Sequence, residues 1–323
     1  MFDILGVTAL LALAVLATWL AIRAWRAKSR VVKWAGGVPS GLFAVIFSLA
    51  ICLVLVGFYK INFPASRPPV TDVKVARTPD QIARGARFGA FCAACHSPDG
   101  KPPLVGVNFL EGGPPFGTVY APNLTPAGEI NDWSDGEIIR AMREGVHRSG
   151  RSLIIMPSEV FHNLSDADAQ AIVAYLRSQP AAGQKSPPTK LNVLAALLLG
   201  SGMAPTSSQP AITQPVIAPA EGASADYGQY LVSVLGCTTC HGEKLAGVKR
   251  RGPGPPAGPN LTMIIPHWSE AGYINTLRTG VDPNKYKIRE GMPWRQISAF
   301  ASDADLKAMY AYLHSLTPIE GPK

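Results

Sequence analysis

The sequence predicts an all-α protein in which a two-helix membrane hairpin precedes two tandem copies of one small helical domain. Three observations carry that reading. Two long apolar runs flank a purely basic loop near the start, short motifs recur in the same order further along, and each recurrence holds the capping pattern of the same helices. A chain of 323 residues is too long for one small domain and suits two plus additional segments. The expected boundaries are a membrane anchor over 1–62, a first domain over 77–182, a linker over 183–224 and a second domain over 225–323.

The anchor comes first. Ile4 to Ile22 is an uncharged run of 19 residues rich in Leu, Ala and Val. At about 1.5 Å rise per residue it nearly spans a hydrocarbon core. A second apolar run extends from Gly41 to Tyr59. Arg23, Arg26, Lys28, Arg30 and Lys33 lie between the runs with no acid, so the positive-inside rule puts this loop in the cytoplasm. Both ends of the hairpin then face outward, and everything after Lys60 is exported. The expected location is the cytoplasmic (inner) membrane of a bacterium, with membrane lipid as a partner and the later domains on the periplasmic side. A cleaved signal peptide needs basic residues before its apolar stretch. Here Met1-Phe2-Asp3 stand before it and the basic residues come after, which favours a retained hairpin. Cys52 is preceded by Ile51 where a lipid-attachment motif wants a small residue, so it reads as a lipid- or helix-facing side chain.

The formal charge of +8 invites a nucleic-acid reading, but its location removes it. Residues 1–60 carry 6 basic groups against Asp3, a net +5 (6 − 1), which leaves +3 (24 − 21) for the rest of the chain. The basic character belongs mainly to the anchor, so no footprint for DNA or RNA is expected.

The chemistry sits in two pentapeptides, Cys92-Ala93-Ala94-Cys95-His96 and Cys237-Thr238-Thr239-Cys240-His241. Both read C-x-x-C-H, the attachment pattern of c-type haem. Two thiols must reach two vinyl groups of one porphyrin, and the adjacent histidine must stand under the iron as a neutral imidazole. A short helical turn places all three on one face. A redox-active Cys pair needs no histidine after it, and a zinc site would need the two pairs brought together across the 141 residues between Cys95 and Cys237. Two haem c groups are expected, attached at Cys92, Cys95, Cys237 and Cys240, with His96 and His241 on the iron.

The segments downstream of the two pentapeptides are duplicates. Ala121-Pro122-Asn123-Leu124-Thr125 matches Gly258-Pro259-Asn260-Leu261-Thr262, and Trp133-Ser134 matches Trp268-Ser269. Arg143-Glu144-Gly145-Val146 matches Arg278-Thr279-Gly280-Val281, and Met156-Pro157 matches Met292-Pro293. Ser165-Asp166-Ala167-Asp168 and Tyr175-Leu176 match Ser302-Asp303-Ala304-Asp305 and Tyr312-Leu313. The order is the same throughout, so one domain is used twice. Of seven methionines only Met156 and Met292 occupy matching positions, 60 residues after His96 and 51 after His241, each followed by Pro. They are the expected sixth ligands, and thioether ligation raises a haem potential in the manner of electron transfer. Met142, Met263 and Met309 read as packing residues. The unmatched histidines His147, His162, His267 and His314 read as surface or local hydrogen-bonding groups.

The repeat also marks its helices. Ser165 and Ser302 are N-cap candidates with acids in the first turn, and Pro180 and Pro318 stand just past the ends. Earlier helices are expected at Ser134–Gly145 and Ser269–Gly280. Each domain is too small for a strong apolar core, and a buried haem serves as much of it. Lys249-Arg250-Arg251 is a basic cluster suited either to steering an acidic redox partner or to a solvated loop. The apolar stretch Leu191 to Met203 is too short to span a bilayer; it either packs between the domains or touches the membrane surface.

These motifs resemble the haem domains in the cytochrome c subunits of membrane-bound alcohol, aldehyde and gluconate dehydrogenases. The likeness covers about residues 80–180 and 225–320. It rests on C-x-x-C-H, Pro-Asn-Leu-Thr, Trp-Ser, Arg-x-Gly-Val, and Met-Pro followed by Ser-Asp-x-Asp and Tyr-Leu. It implies class I-type cytochrome c domains that ligate haem and relay electrons without making bonds, and it does not carry over a dehydrogenase partner. Electrons are expected to enter from a dehydrogenase or a quinol-oxidising complex and to leave to an oxidase, a soluble electron carrier or a photosynthetic centre, with other subunits of a membrane redox complex as partners. Those subunits usually hold three haem domains and a signal peptide. An anchor before two haem motifs is also similar to the dihaem subunit of cbb-type haem–copper oxidases. A dihaem peroxidase is a further reading. It requires an open iron site with acid–base groups nearby, which a pair of methionine ligands opposes.

Overall fold

The computed structural model describes residues 4–113, 115–249 and 257–322. Helix α1 (Ile4–Trp25) and helix α2 (Val38–Asn62) form the hairpin. Lys33–Gly37 forms a π-helical turn that leads into α2, so the helical run from Arg30 to Asn62 is 33 residues long. Both runs are long and apolar enough to cross a membrane. The helices meet through small residues: Ala14, Ala17 and Ala24 are buried on α1, and a Cβ on Gly36 would stand 3.5 Å from that of Ala24. Leu42, Phe43 and Ile46 point outward. Trp25 and Trp34 stack edge-on at 6.1 Å and Arg23 lies 5.1 Å over Trp19, an aromatic and basic collar at the loop end of the hairpin.

The first repeat contains α3 (Pro79–Ala86), α4 (Gly89–His96), α5 (Asp135–Glu144), α6 (Ser158–Phe161) and α7 (Asp166–Ser178). Helix α8 (Val193–Ser201) comes next. The second repeat contains α9 (Ala225–Val234), α10 (Cys237–His241), α11 (Glu270–Thr279), α12 (Trp294–Phe300) and α13 (Asp303–Ser315). Among the described residues the strands are only two residues long. Of these, β1 (Val107–Asn108) pairs antiparallel with β3 (Tyr120–Ala121), and β2 (Gly117–Thr118) pairs with β4 (Lys190–Leu191).

Ser165 and Ser302 cap their helices as the sequence predicts, and Ser134 and Ser269, expected as helix starts, act as caps too. Ser134, Ser165, Ser269 and Ser302 each accept a backbone N–H three residues on, and Ser134 and Ser302 complete capping boxes with Glu137 and Asp305. Gly145 and Gly280 end α5 and α11 in the left-handed region, at φ of 65° and 72°, where a side chain is strained. In each repeat the first and last helices cross at a glycine. A Cβ on Gly85 would lie 1.9 Å from the Ala171 carbonyl oxygen, and one on Gly228 would lie 1.9 Å from that of Ala308. Leu104, Leu164, Ile172, Leu231, Leu306 and Met309 belong to one continuous core that runs through both repeats.

The repeats meet across an approximate two-fold relation. Arg87 on the first donates to Asp305 on the second at 2.7 Å. Tyr230, which stands where Arg87 does, donates to Asp168, which stands where Asp305 does. Burial and the Asp168 carboxylate hold the Tyr230 hydroxyl protonated by raising its pKa. The arrangement is that of an isologous dimer made within one chain. The halves of the belt are unequal, because Asp168 also accepts from Arg84 at 2.6 Å, whereas Arg87 is the one cation on Asp305 among the described residues. Arg87→Ala is therefore expected to destabilise the paired repeats by roughly 2 kcal/mol, and Tyr230→Phe by roughly half that, because Asp168 keeps a charged donor. Urea unfolding of the two variants checks the ranking.

Residues 183–224, expected as a linker, lie along the first repeat. Asn123 and Thr125 bond to Ala182, Gln184 and Ser186, Ser207 donates to Leu153, and Ile212 donates to the Glu144 carboxylate. Helix α8 crosses α2 rather than sitting between the repeats.

Candidate functional site

Each C-x-x-C-H pentapeptide is helical, as its chemistry requires: Cys92 to His96 end α4, and Cys237 to His241 form α10. Both histidines are buried, at 7% and 5% exposure. His96 Nδ1 lies 2.8 Å from the Pro122 carbonyl and His241 Nδ1 lies 2.8 Å from that of Pro259. A carbonyl only accepts, so Nδ1 carries the proton in both rings and Nε2 keeps its lone pair. Among the described residues no hydrogen bond reaches either Nε2. Burial lowers the pKa of both imidazoles, which keeps them in the neutral, ligating form.

The backbone around the two rings repeats bond for bond. Gly106 and Gly247 donate to the His96 and His241 carbonyls at 2.8 Å, and Leu124 and Leu261 donate to Leu104 and Leu245 at 2.8 Å. Those bonds seat the Pro-Asn-Leu-Thr loops over the histidines. At the second site the loop passes so close that a Cβ on Gly258 would lie 2.7 Å from His241 Nδ1.

The four motif cysteines are free thiols. Burial pushes Cys92 and Cys237 up to about 12 and raises Cys95 and Cys240. Such thiols are the reverse of a redox-active pair, which works through a depressed thiol pKa. Among the described residues no cluster of three or more His, Cys, Asp or Glu side chains forms a zinc-type site. Paired thiols beside a buried imidazole with its Nε2 uncommitted fit covalently attached haem.

Met156 and Met292 share their surroundings too. Each is half-buried against the common core, each is followed by a proline that caps a short helix, and each carbonyl accepts the N–H two residues on at 2.8 Å. Ile155, just before Met156, has φ of 68°, which costs a β-branched residue on the order of 1–3 kcal/mol and is held by the loop around it. Met142 and Met309 are core residues at 7% and 1% exposure, as expected. Met263 is not, at 47% exposure: its one-turn helix (Leu261–Ile264) directs Thr262 inward and leaves Met263 outside. His162 bonds to the Arg143 carbonyl and His147 to Ser149, while His267 and His314 are exposed. Of the basic cluster, Lys249 is described, whereas Arg250 and Arg251 lie outside the described residues.

The sequence reading missed the partners at the site. The carbonyls of Pro122 and Pro259 act through the backbone, and their signal was the repeated Pro-Asn-Leu-Thr. Tyr175 and Tyr273 stand near Cys92 and Cys237; burial, and then the charge of those cysteines, raises the pKa of both phenols. The two sites also abut. Phe91, before Cys92, lies 6.0 Å from Phe300 at the end of α12, and a Cβ on Gly236, before Cys237, would lie 3.1 Å from Val160 on α6. The residue just before each pentapeptide thus lies against the helix that comes after the other repeat's Met-Pro.

The family model for cytochrome c matches residues 82–180 and 225–317. The chain is 33% identical over 305 residues to a nicotinate dehydrogenase subunit of Pseudomonas putida, covering 88% of this chain and 25% of that protein. It is 26% identical over 297 residues to the alcohol dehydrogenase (quinone) cytochrome c subunit of Gluconobacter oxydans, covering 82% and 59%. It is 35% identical over 163 residues to the gluconate 2-dehydrogenase cytochrome c subunit of Pantoea cypripedii, covering 46% and 35%. The chain thus spans between a quarter and three-fifths of the length of these relatives. Cytochrome c domains hold covalent haem c, the group that the paired thiols and uncommitted imidazoles fit. The chain belongs to the cytochrome c family and carries that domain in each of its two repeats.

Proposed function

We propose that this chain is a membrane-anchored electron relay with two covalently bound haems, one per repeat, on the periplasmic side of a bacterial inner membrane. Cys92 and Cys95 hold the first, with His96 and Met156 as axial ligands; Cys237 and Cys240 hold the second, with His241 and Met292. The observation that carries this is the matched pair of buried imidazoles, each fixed by a proline carbonyl with Nε2 free to ligate. When bound, each haem supplies a one-electron couple whose potential is raised by thioether ligation. The chain's own residues do the rest. Pro122 and Pro259 fix the tautomer and tilt of the histidines, the apolar core excludes water, and the Arg87–Asp305 and Tyr230–Asp168 belt holds the two sites side by side.

The names of the relatives support a dehydrogenase as the electron source, ahead of a haem–copper oxidase parent. A quinol-oxidising complex is the alternative source, and a terminal oxidase or a soluble carrier is the acceptor. Isolation of the native assembly in mild detergent tests this. Co-purification with a dehydrogenase subunit, and reduction of both haems by that enzyme's substrate, is the expected result; co-purification with an oxidase core instead would reassign the chain.

A further inference from the structure

Helix α8 lies between the apolar helix α2 and the first repeat. Residues 191–204 carry no charge, and the sides of the helix differ in a telling way. One side meets α2 backbone to backbone. A Cβ on Gly57 would lie 2.3 Å from the Ala196 carbonyl oxygen, and one on Gly200 would lie 1.9 Å from that of Leu53. A second side packs with Ile61 and Val119 in a small core of its own through Ala195 and Leu199. The remaining stripe is Leu194, Leu197, Leu198 and Ser201, at the helical spacing of one face, and Leu194 is 44% exposed. An outward stripe of leucine continuous with a spanning helix has no water-facing role.

Depth follows from helix geometry. Lys60 lies at the outer end of α2, and its Nζ donates to the Leu199 and Gly200 carbonyls at 3.1 and 3.3 Å, which caps the C-terminus of α8. Leu53 lies seven residues further in, which is about 10 Å deeper at 1.5 Å per residue. Hydrocarbon of about 30 Å that starts near Lys60 therefore contains the Leu53–Gly57 stretch that α8 touches.

Resting on the anchor reading above, we infer that α8 is a half-membrane helix: it sinks into the outer leaflet beside α2, its Leu194–Leu198 stripe covered by acyl chains. Helical backbone satisfies its own hydrogen bonds there, and Lys60 takes the carbonyls left over. The same junction holds the first repeat down. Ser152 donates through its N–H to Ile61 at 2.7 Å and through its hydroxyl to Lys60 at 3.1 Å, four residues before Met156. The Met156 loop is thereby held close to the outer end of α2.

The test uses the full haem-loaded chain in spheroplasts, with Cys52→Ser as background and a membrane-impermeant maleimide as probe. Cysteines are placed singly by Leu194→Cys, Ile46→Cys and Ile217→Cys, all at positions exposed in the protein, in a strain that makes this chain without partner subunits, so that shielding comes from lipid. The haem spectrum checks that each variant folds, and Leu198→Cys replaces the first if it does not. Leu194→Cys is expected to react roughly tenfold or more slowly than Ile217→Cys, like Ile46→Cys, because thiolate formation is suppressed in hydrocarbon, and to react fully in dodecyl sulfate. Fast reaction at Leu194→Cys with Ile46→Cys still shielded overturns the buried helix and leaves the anchor standing. Fast reaction at Ile46→Cys overturns the anchor and the inference with it.

Discussion

Met156→Ala and Met292→Ala are each expected to lower the potential of one haem and to leave the other, and both covalent attachments, unchanged. Each methionine is half-buried at the matching place in its repeat, ahead of a proline-capped helix, and neither lies in the cysteine pentapeptide. On the proposed ligation, removing the thioether takes away the soft sixth ligand that stabilises the reduced iron. Axial ligation moves haem potentials over roughly 0.8 V, so the loss is read easily in a redox titration. The weak far-red absorption of Met–iron ligation falls by half in each variant. If both potentials stay where they were, these two residues are not the ligands.

Gly85→Val and Gly228→Val are expected to unfold their repeats at markedly lower temperature. The Cβ of either variant would sit 1.9 Å from a backbone carbonyl oxygen on the last helix of the repeat, and no rotamer relieves a clash with main chain. The first and last helices must part, opening the core that Leu104, Ile172, Leu231 and Leu306 fill. The cost is on the order of 3 kcal/mol or more, at the upper end for overpacking. In domains of this size that is roughly 10 °C or more in melting temperature. Gly41→Ala is the contrast: nothing stands within 4 Å of its added Cβ, and stability holds. Calorimetry of the three variants settles the ranking.

The elements that a sequence signals locally were legible. The cysteine pentapeptides, the Ser caps of α5, α7, α11 and α13, and the apolar runs of α1 and α2 all depend on neighbours within a few residues. The duplication set Met156 and Met292 at matching positions, and the structure gives them the same half-buried surroundings ahead of a proline-capped helix. Pro122 and Pro259 were seen as matched positions but not as histidine partners, since a carbonyl's role is conformational and leaves no side-chain signature. The repeat interface was hidden for a different reason. Arg87 and Tyr230 occupy equivalent places yet share no chemistry beyond donating a hydrogen bond, so no residue pattern links them. The seating of α8 on α2 joins Gly57 to Gly200 across the whole first repeat, a contact that local pattern does not encode. Met263 failed because a single turn gives too short a stripe to tell inside from outside.

The most direct measurement is the number of haems left on the chain after denaturation and solvent extraction, taken for the parent and for variants with the Cys92/Cys95 or Cys237/Cys240 pair changed to serine. Two covalently held haems per parent chain, and one in each variant, are expected. One haem in the parent, or two retained in either variant, contradicts a haem in each repeat.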